Sequence, residues 1–116
     1  MTLHQGSCHC GKVAFEFEAE IEQVVECNCS ICAQRGYLLT FISHEALNLK
    51  RGESDLSTYT FNKHAIRHRF CSTCGSGTFG EGKTPNGGEM VAINVRCVEG
   101  IDLTQIKRIP FDGRSL

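Results

Sequence analysis

The sequence predicts an all-β protein on three observations. Apolar residues alternate with polar ones through most of the chain, no window of a dozen residues keeps a helical period, and the alternating stretches stop at turn-forming residues. In Lys12 to Glu18, Val13, Phe15 and Phe17 alternate with Lys12, Ala14, Glu16 and Glu18, the period of two of a strand with one buried and one wet face. Leu38 to Ile42 is apolar nearly throughout, which predicts a strand covered on both faces. Leu47 and Leu49 alternate into the turn at Lys50-Arg51-Gly52, and Ser57, Tyr59 and Phe61 form another alternating stretch. Ala65 to Phe70 sets Ile66, His68 and Phe70 on one face and Arg67 and Arg69 on a wet face, while Met90 to Arg96 segregates Val91, Ile93 and Val95. Only Ser30 to Arg35 and Leu103 to Ile106 read as short helices. Gly75 to Gly88 holds six glycines in fourteen residues, with Pro85 and Asn86, and predicts a loop.

At 116 residues and 12.8 kDa the chain has room for a single domain, residues 1–116, above the roughly 70 to 80 residues below which folds need staples. No apolar run approaches the ~20 residues that cross a bilayer, so no membrane association is expected. Twelve Lys plus Arg against thirteen Asp plus Glu give a net charge of -1, without the broad basic field of a duplex-binding protein, so no nucleic acid is expected as partner. Met1-Thr2-Leu3-His4-Gln5-Gly6 has no basic patch leading into an apolar stretch, so the expected compartment is the cytoplasm. Thiols stay reduced there, and the eight clustered cysteines read as metal ligands before they read as disulfides.

Gly77-Thr78-Phe79-Gly80-Glu81-Gly82-Lys83-Thr84 matches a phosphate-binding loop letter for letter, but that motif needs a strand before it and a helix after it. Pro85-Asn86-Gly87-Gly88 forbids the helix, and nucleotide binding is rejected. The informative spacing is that of the cysteines: Cys8-His9-Cys10-Gly11, Cys27-Asn28-Cys29-Ser30-Ile31-Cys32 and Cys71-Ser72-Thr73-Cys74-Gly75. Each is a chelating unit, because a turn of two or three residues brings its thiolates to one ion and a following glycine permits the positive φ such a turn often requires. Seven sulfurs divide as four plus three. Four thiolates close a tetrahedral structural zinc site, and three leave a coordination position open, as catalytic zinc does. Spacing alone leaves open whether the Cys8 and Cys10 pair joins the triplet or the other pair. Cys97 has no nearby partner and reads as a small buried hydrophobe.

On these residues the chain resembles, nearly end to end, the family of the glutathione-dependent formaldehyde-activating enzyme and centromere protein V. The resemblance is carried by Gly6-Ser7-Cys8-His9-Cys10-Gly11-Lys12-Val13, by the triplet followed by Arg35-Gly36, by Arg69-Phe70-Cys71-Ser72-Thr73-Cys74-Gly75-Ser76, and by Asn94-Val95-Arg96 with the tail Phe111-Asp112-Gly113. It implies a β-tent, small antiparallel sheets pinned by zinc. It implies that Cys8, Cys10, Cys71 and Cys74 hold a structural zinc and that Cys27, Cys29 and Cys32 hold a second zinc at the catalytic centre, two ions per chain with the second more easily lost. The residue between the first two triplet cysteines is often His in the family and is Asn28 here, which removes a proton-handling group from that position without touching a ligand.

The family reaction adds the glutathione thiol to formaldehyde, the reverse of a carbon-sulfur lyase step. The physics suits an open three-thiolate site: a free thiol titrates near about 8.5, and coordination removes its proton. Three thiolates leave a dipositive ion at a net -1, which favours thiol activation over polarisation of the carbonyl. The expected function is therefore zinc-dependent addition of a small thiol, glutathione or similar, to formaldehyde or a related small carbonyl compound, or its reversal. The rival readings are a non-catalytic zinc-binding module for a protein partner, nucleic-acid association, and redox chemistry at Cys71 and Cys74. Arg35, Lys63, Arg67 and Arg69 read as solvated charges before they read as carboxylate binders, His9 as exposed, and His68 as a half-buried, hydrogen-bonded residue rather than a ligand.

Overall fold

The computed structural model describes residues 1–115, folded as two sheets. Strands β1 (Thr2–Ser7), β2 (Ala14–Ala19) and β5 (Asn48–Arg51) pair antiparallel in the order β1-β2-β5. The remaining strands are β3 (Gln23–Cys27), β4 (Leu39–Ser43), β6 (Leu56–Tyr59), β7 (Arg67–Cys71), β8 (Gly77–Lys83), β9 (Glu89–Asn94) and β10 (Lys107–Phe111). They form a seven-stranded sheet in the order β10-β3-β4-β9-β8-β7-β6, antiparallel except where β10 runs parallel to β3. Among the described residues one α-helix, α1 (Ser30–Arg35), covers the helical stretch expected there. The mainly β fold class is as the alternation predicts.

The core lies between the sheets. Phe15 and Phe17 of β2 pack on Ile42, Phe79, Val91 and Ile93 of the large sheet, with Phe15 edge-on to Phe79 at a centroid distance of 5.9 Å and 76° between the rings. Strand register sends the alternate residues to the opposite face. Phe41 pairs with Ala92, Ala92 with Gly80, Gly80 with His68 and His68 with Tyr59, so these five form one row across that face. Phe41 and Tyr59 remain 48% and 47% exposed.

Four expectations need correction. Leu38 to Ile42 is not covered on both faces: Leu38 and Ile42 are buried while Phe41 looks outward from the row just described. Gly77 to Lys83 is not loop but the longest strand, because β7 and β9 flank it and satisfy its backbone on both edges. Leu103 to Ile106 is a turn, with the Gln105 and Ile106 amides both donating to the Asp102 carbonyl at 3.2 and 3.1 Å. Arg69 does not face water: it lies in register with Phe79, on the core face, and Ile66 is the residue left half exposed.

Candidate metal centres

Two cysteine clusters form where turns end strands. Cys8 and Cys10 lie in the β1–β2 connection, whose turn is closed by the Gly11 amide on the Cys8 carbonyl at 3.2 Å. Cys71 and Cys74 lie at the β7–β8 connection, closed by the Gly75 amide on the Cys71 carbonyl at 2.8 Å. Gly11 and Gly75 take φ values of 83° and 81°, the left-handed conformation that the spacing anticipated. The two turns meet, and all four sulfurs lie within 4.8 Å of one another.

The donor set fits a tetrahedral ion. Cys8 Sγ and Cys10 Sγ are 3.6 Å apart and Cys10 Sγ and Cys71 Sγ 3.7 Å, close to the edge of about 3.8 Å that four bonds of about 2.3 Å to zinc require. Backbone N–H donation supports the same charge, as from Val13 to Cys8 Sγ at 3.3 Å. The thiols are also split in acidity. The Ser76 hydroxyl and amide, with the Cys10 amide, bring Cys74 down to about 5. Cys10 is pulled down by the Lys12 amide but pushed up to about 11 by desolvation and by the sulfurs of Cys8, Cys71 and Cys74. Crowded sulfurs cannot all ionise on their own, and a cation removes that conflict.

The second cluster is built on α1. Cys27 ends β3, Cys29 is the helix N-cap, and Cys32 lies one turn along, so the three sulfurs converge to within 4.8 Å. Among the described residues no fourth His, Cys, Asp or Glu joins this group. The Cys29 amide donates to Cys27 Sγ at 3.4 Å. Burial raises the Cys29 thiol, but the Cys32 amide, the Cys32 and Cys27 sulfurs and the Ile31 amide outweigh it and lower the thiol below its usual value. Burial and the neighbouring sulfurs push Cys32 up. Three thiols therefore gather in one place, with Cys29 made more acidic and Cys32 less.

The tail closes over this cluster. The Asn28 amide N–H donates to the Phe111 carbonyl at 3.1 Å, its side-chain Nδ2 donates to Asp112 at 3.0 Å, and its Oδ1 accepts from the Arg114 amide at 2.9 Å. Asn28 thus clips the C-terminal segment to the triplet loop, a role its position between two cysteines does not reveal. The structure adds Tyr37 and Phe111 beside the triplet as well. Two cavities of different character flank the cysteines. A cleft of about 510 Å3 with a mixed lining includes Cys27, Cys32, Arg96 and Asp112 together with Tyr37 and Phe111. An apolar cavity of about 170 Å3 touches all three cysteines and is walled by Leu39, Ile66 and Phe111.

The other candidates sort by contact. Arg69 and Arg67 reach the buried Glu81 at 2.8 and 3.7 Å; the pair with Arg69 lies inside the fold, whereas Arg67 stays exposed. Arg35 donates to Tyr37 Oη at 2.9 Å and stacks over Phe70, and Lys63 borders the apolar side of the triplet. His9 is exposed. His68 is half buried but stacks on Phe61, rings 5.4 Å apart, instead of finding the expected hydrogen bond; burial and then Arg35 lower its pKa. Cys97 is half buried, and burial followed by Cys8 and Cys74 raises its thiol to about 11, so it stays protonated.

Fold and clusters together define a small, mainly β protein organised around a closed set of four thiols and an open set of three. Residues 3–108 match the family described as glutathione-dependent formaldehyde-activating enzyme, and the chain belongs to that family. It is also similar to a crystal structure of a Rhodobacter sphaeroides protein, at 30% identity over 91% of this chain and 97% of that chain, with a TM-score of 0.79.

Proposed function

We propose that this chain is a zinc enzyme of carbon-sulfur lyase type, which adds a small thiol such as glutathione to formaldehyde or a related small carbonyl compound, or runs the reverse step. The reading rests on one observation above the others: three converging thiols with no fourth His, Cys, Asp or Glu among the described residues, set between a cleft that carries Arg96 and an apolar cavity. Family membership supports the reaction class. Cys27, Cys29 and Cys32 would hold the zinc, whose charge would make an incoming thiol more acidic.

The remaining work falls to the chain. In the addition, the carbon-sulfur bond forms as the carbonyl π bond breaks, and the thiol proton ends on the carbonyl oxygen. Arg96, in the cleft beside Cys27 and Cys32, places a cation where the carboxylates of a glutathione-like thiol can rest. His68 lines the same apolar cavity as the three cysteines, where its imidazole can relay the proton from the thiol to the carbonyl oxygen. Asn28 keeps the C-terminal segment in place over the site.

Metal content and turnover of Cys29→Ala and Cys32→Ala test the proposal. Each variant is expected to keep one of two zinc ions. Each is expected to lose turnover by more than the roughly 10- to 100-fold typical of residues that only orient a ligand. Unchanged turnover in a variant that has lost the second ion refutes the mechanism, and one tightly held ion in the wild-type chain with no turnover points to a non-catalytic module.

A further inference from the structure

Resting on the reading above, we infer that the apolar cavity beside Cys27, Cys29 and Cys32 selects the carbonyl substrate: an aldehyde whose substituent is a hydrocarbon group of about six carbons. Formaldehyde has no substituent to occupy such a space. The cavity measures about 170 Å3, and an apolar cavity of ~150 Å3 stays dry and accepts benzene. Its walls are hydrocarbon from several strands, with Val25 and Leu39 on one side and Ile66 and Phe79 on another.

The floor is made by register. Ala92 and Gly80 sit between Phe41 and His68 in the row across the outward face, so two nearly side-chain-free positions leave a trough between larger neighbours. A Cβ added at Gly80 would lie 3.5 Å from Ile66 Cγ2 and 3.9 Å from His68 Nδ1, the contact an alkyl group in the trough would make. The same trough continues over Gly82 toward Met90. Charge points the same way. No Lys, Arg, Asp or Glu lines the 170 Å3 cavity, whereas the cleft on the other side of Cys27 and Cys32 carries Arg96 and Asp112. A thiol bearing carboxylates suits the cleft with Arg96, which leaves the apolar side to the substituent of the carbonyl partner.

The experiment pairs binding with turnover, using zinc-loaded protein. Calorimetric titration with 1-hexanol, an unreactive probe, is expected to show binding at least about 100-fold tighter than methanol, since each methylene buried is worth a factor of about 4. With glutathione as thiol, kcat/KM for hexanal is expected to exceed that for formaldehyde. Gly80→Val fills the trough at a position where β-branched residues favour the strand. It is expected to lower the hexanal-to-formaldehyde ratio about tenfold or more, chiefly through KM. Ile66→Ser, at a half-exposed wall residue, serves as the second variant and is expected to weaken hexanol binding. Absence of hexanol binding, or a ratio that neither variant moves, overturns the inference, and so does a solution dimer that covers the trough and excludes hexanol. Hexanol bound at the trough with no aldehyde turned over refutes the lyase reading but leaves the pocket standing, while turnover of formaldehyde alone does the reverse.

Discussion

A single buried carboxylate organises the core face of the large sheet. Glu81 accepts from Arg69 at 2.8 Å and pairs with His44 at 2.9 Å, with Arg67 at 3.7 Å. Burial raises its pKa, but the bonds from Arg69 and His44 and the charges of Arg69 and Arg67 prevail and hold the carboxyl below its usual range. A lowered folded-state pKa means the ion adds stability that is present above the unfolded value of 4.5 and drains away as pH falls through the folded value. Glu81→Gln strands Arg69 without its charge partner. Breaking a buried pair costs about 3 to 5 kcal/mol, and because Arg69 is 21% exposed we expect less, about 2 to 3 kcal/mol, in urea unfolding at pH 7. The gap between variant and wild type should narrow below pH 4.5, and a variant as stable as wild type at pH 7 would contradict this account. Local alternation put Arg67 and Arg69 in water because it weighs each strand alone; Arg67 is indeed 48% exposed, but for Arg69 an acidic residue on β8 reverses the preference, and pairing across strands is invisible along one of them.

Among the elements, β8 resisted sequence reasoning most. Its glycines signal a loop by composition, yet Thr78, Phe79 and Glu81 are buried between them, and Gly80 and Gly82 occupy outward positions where a missing side chain makes the trough. Two hydrogen-bonded neighbours outweigh intrinsic propensity there, as tertiary context does for strands generally. The chelating turns were legible because their chemistry is local: two sulfurs, a short span and a glycine. By contrast, the β10 tail acts on the triplet only through folding. A Cβ at Gly113 would stand 2.5 Å from Cys27 Sγ and 3.3 Å from Cys29 Cβ. Gly113→Ala is therefore expected to displace Cys27 or the tail and to lower the metal content of the triplet about tenfold at limiting zinc, while leaving the four-sulfur site filled. Metal titration of the variant decides it; full occupancy of both sites would show that the tail yields without disturbing Cys27.

At the scale of the molecule, the two clusters hold different things together. Cys8 and Cys10 belong to the connection between β1 and β2 of the small sheet, and Cys71 and Cys74 to that between β7 and β8 of the large one. The four-sulfur set therefore joins the sheets at one end of the shared core, where Cys8 and Cys71 are almost fully buried. The triplet sits on one helix and one strand end, apart from that junction. Metal removal should then proceed in two steps with unequal consequences. A mild chelator is expected to take the ion from the triplet first, because three ligands with an open position release it more readily than a closed set, and the far-ultraviolet melting curve should hardly move. Stripping the ion of the four-sulfur set removes a contribution of about 10 kcal/mol or more, as large as the whole stability of about 5 to 15 kcal/mol expected for such a chain, and leaves a cluster of thiols whose ionisation repels. Unfolding should accompany that step. Cys10→Ser should reproduce the second step and Cys29→Ala only the first, so a chain that stays folded after losing both ions would separate the fold from its four-sulfur junction and place its stability in the Phe15, Phe17 and Phe79 core instead.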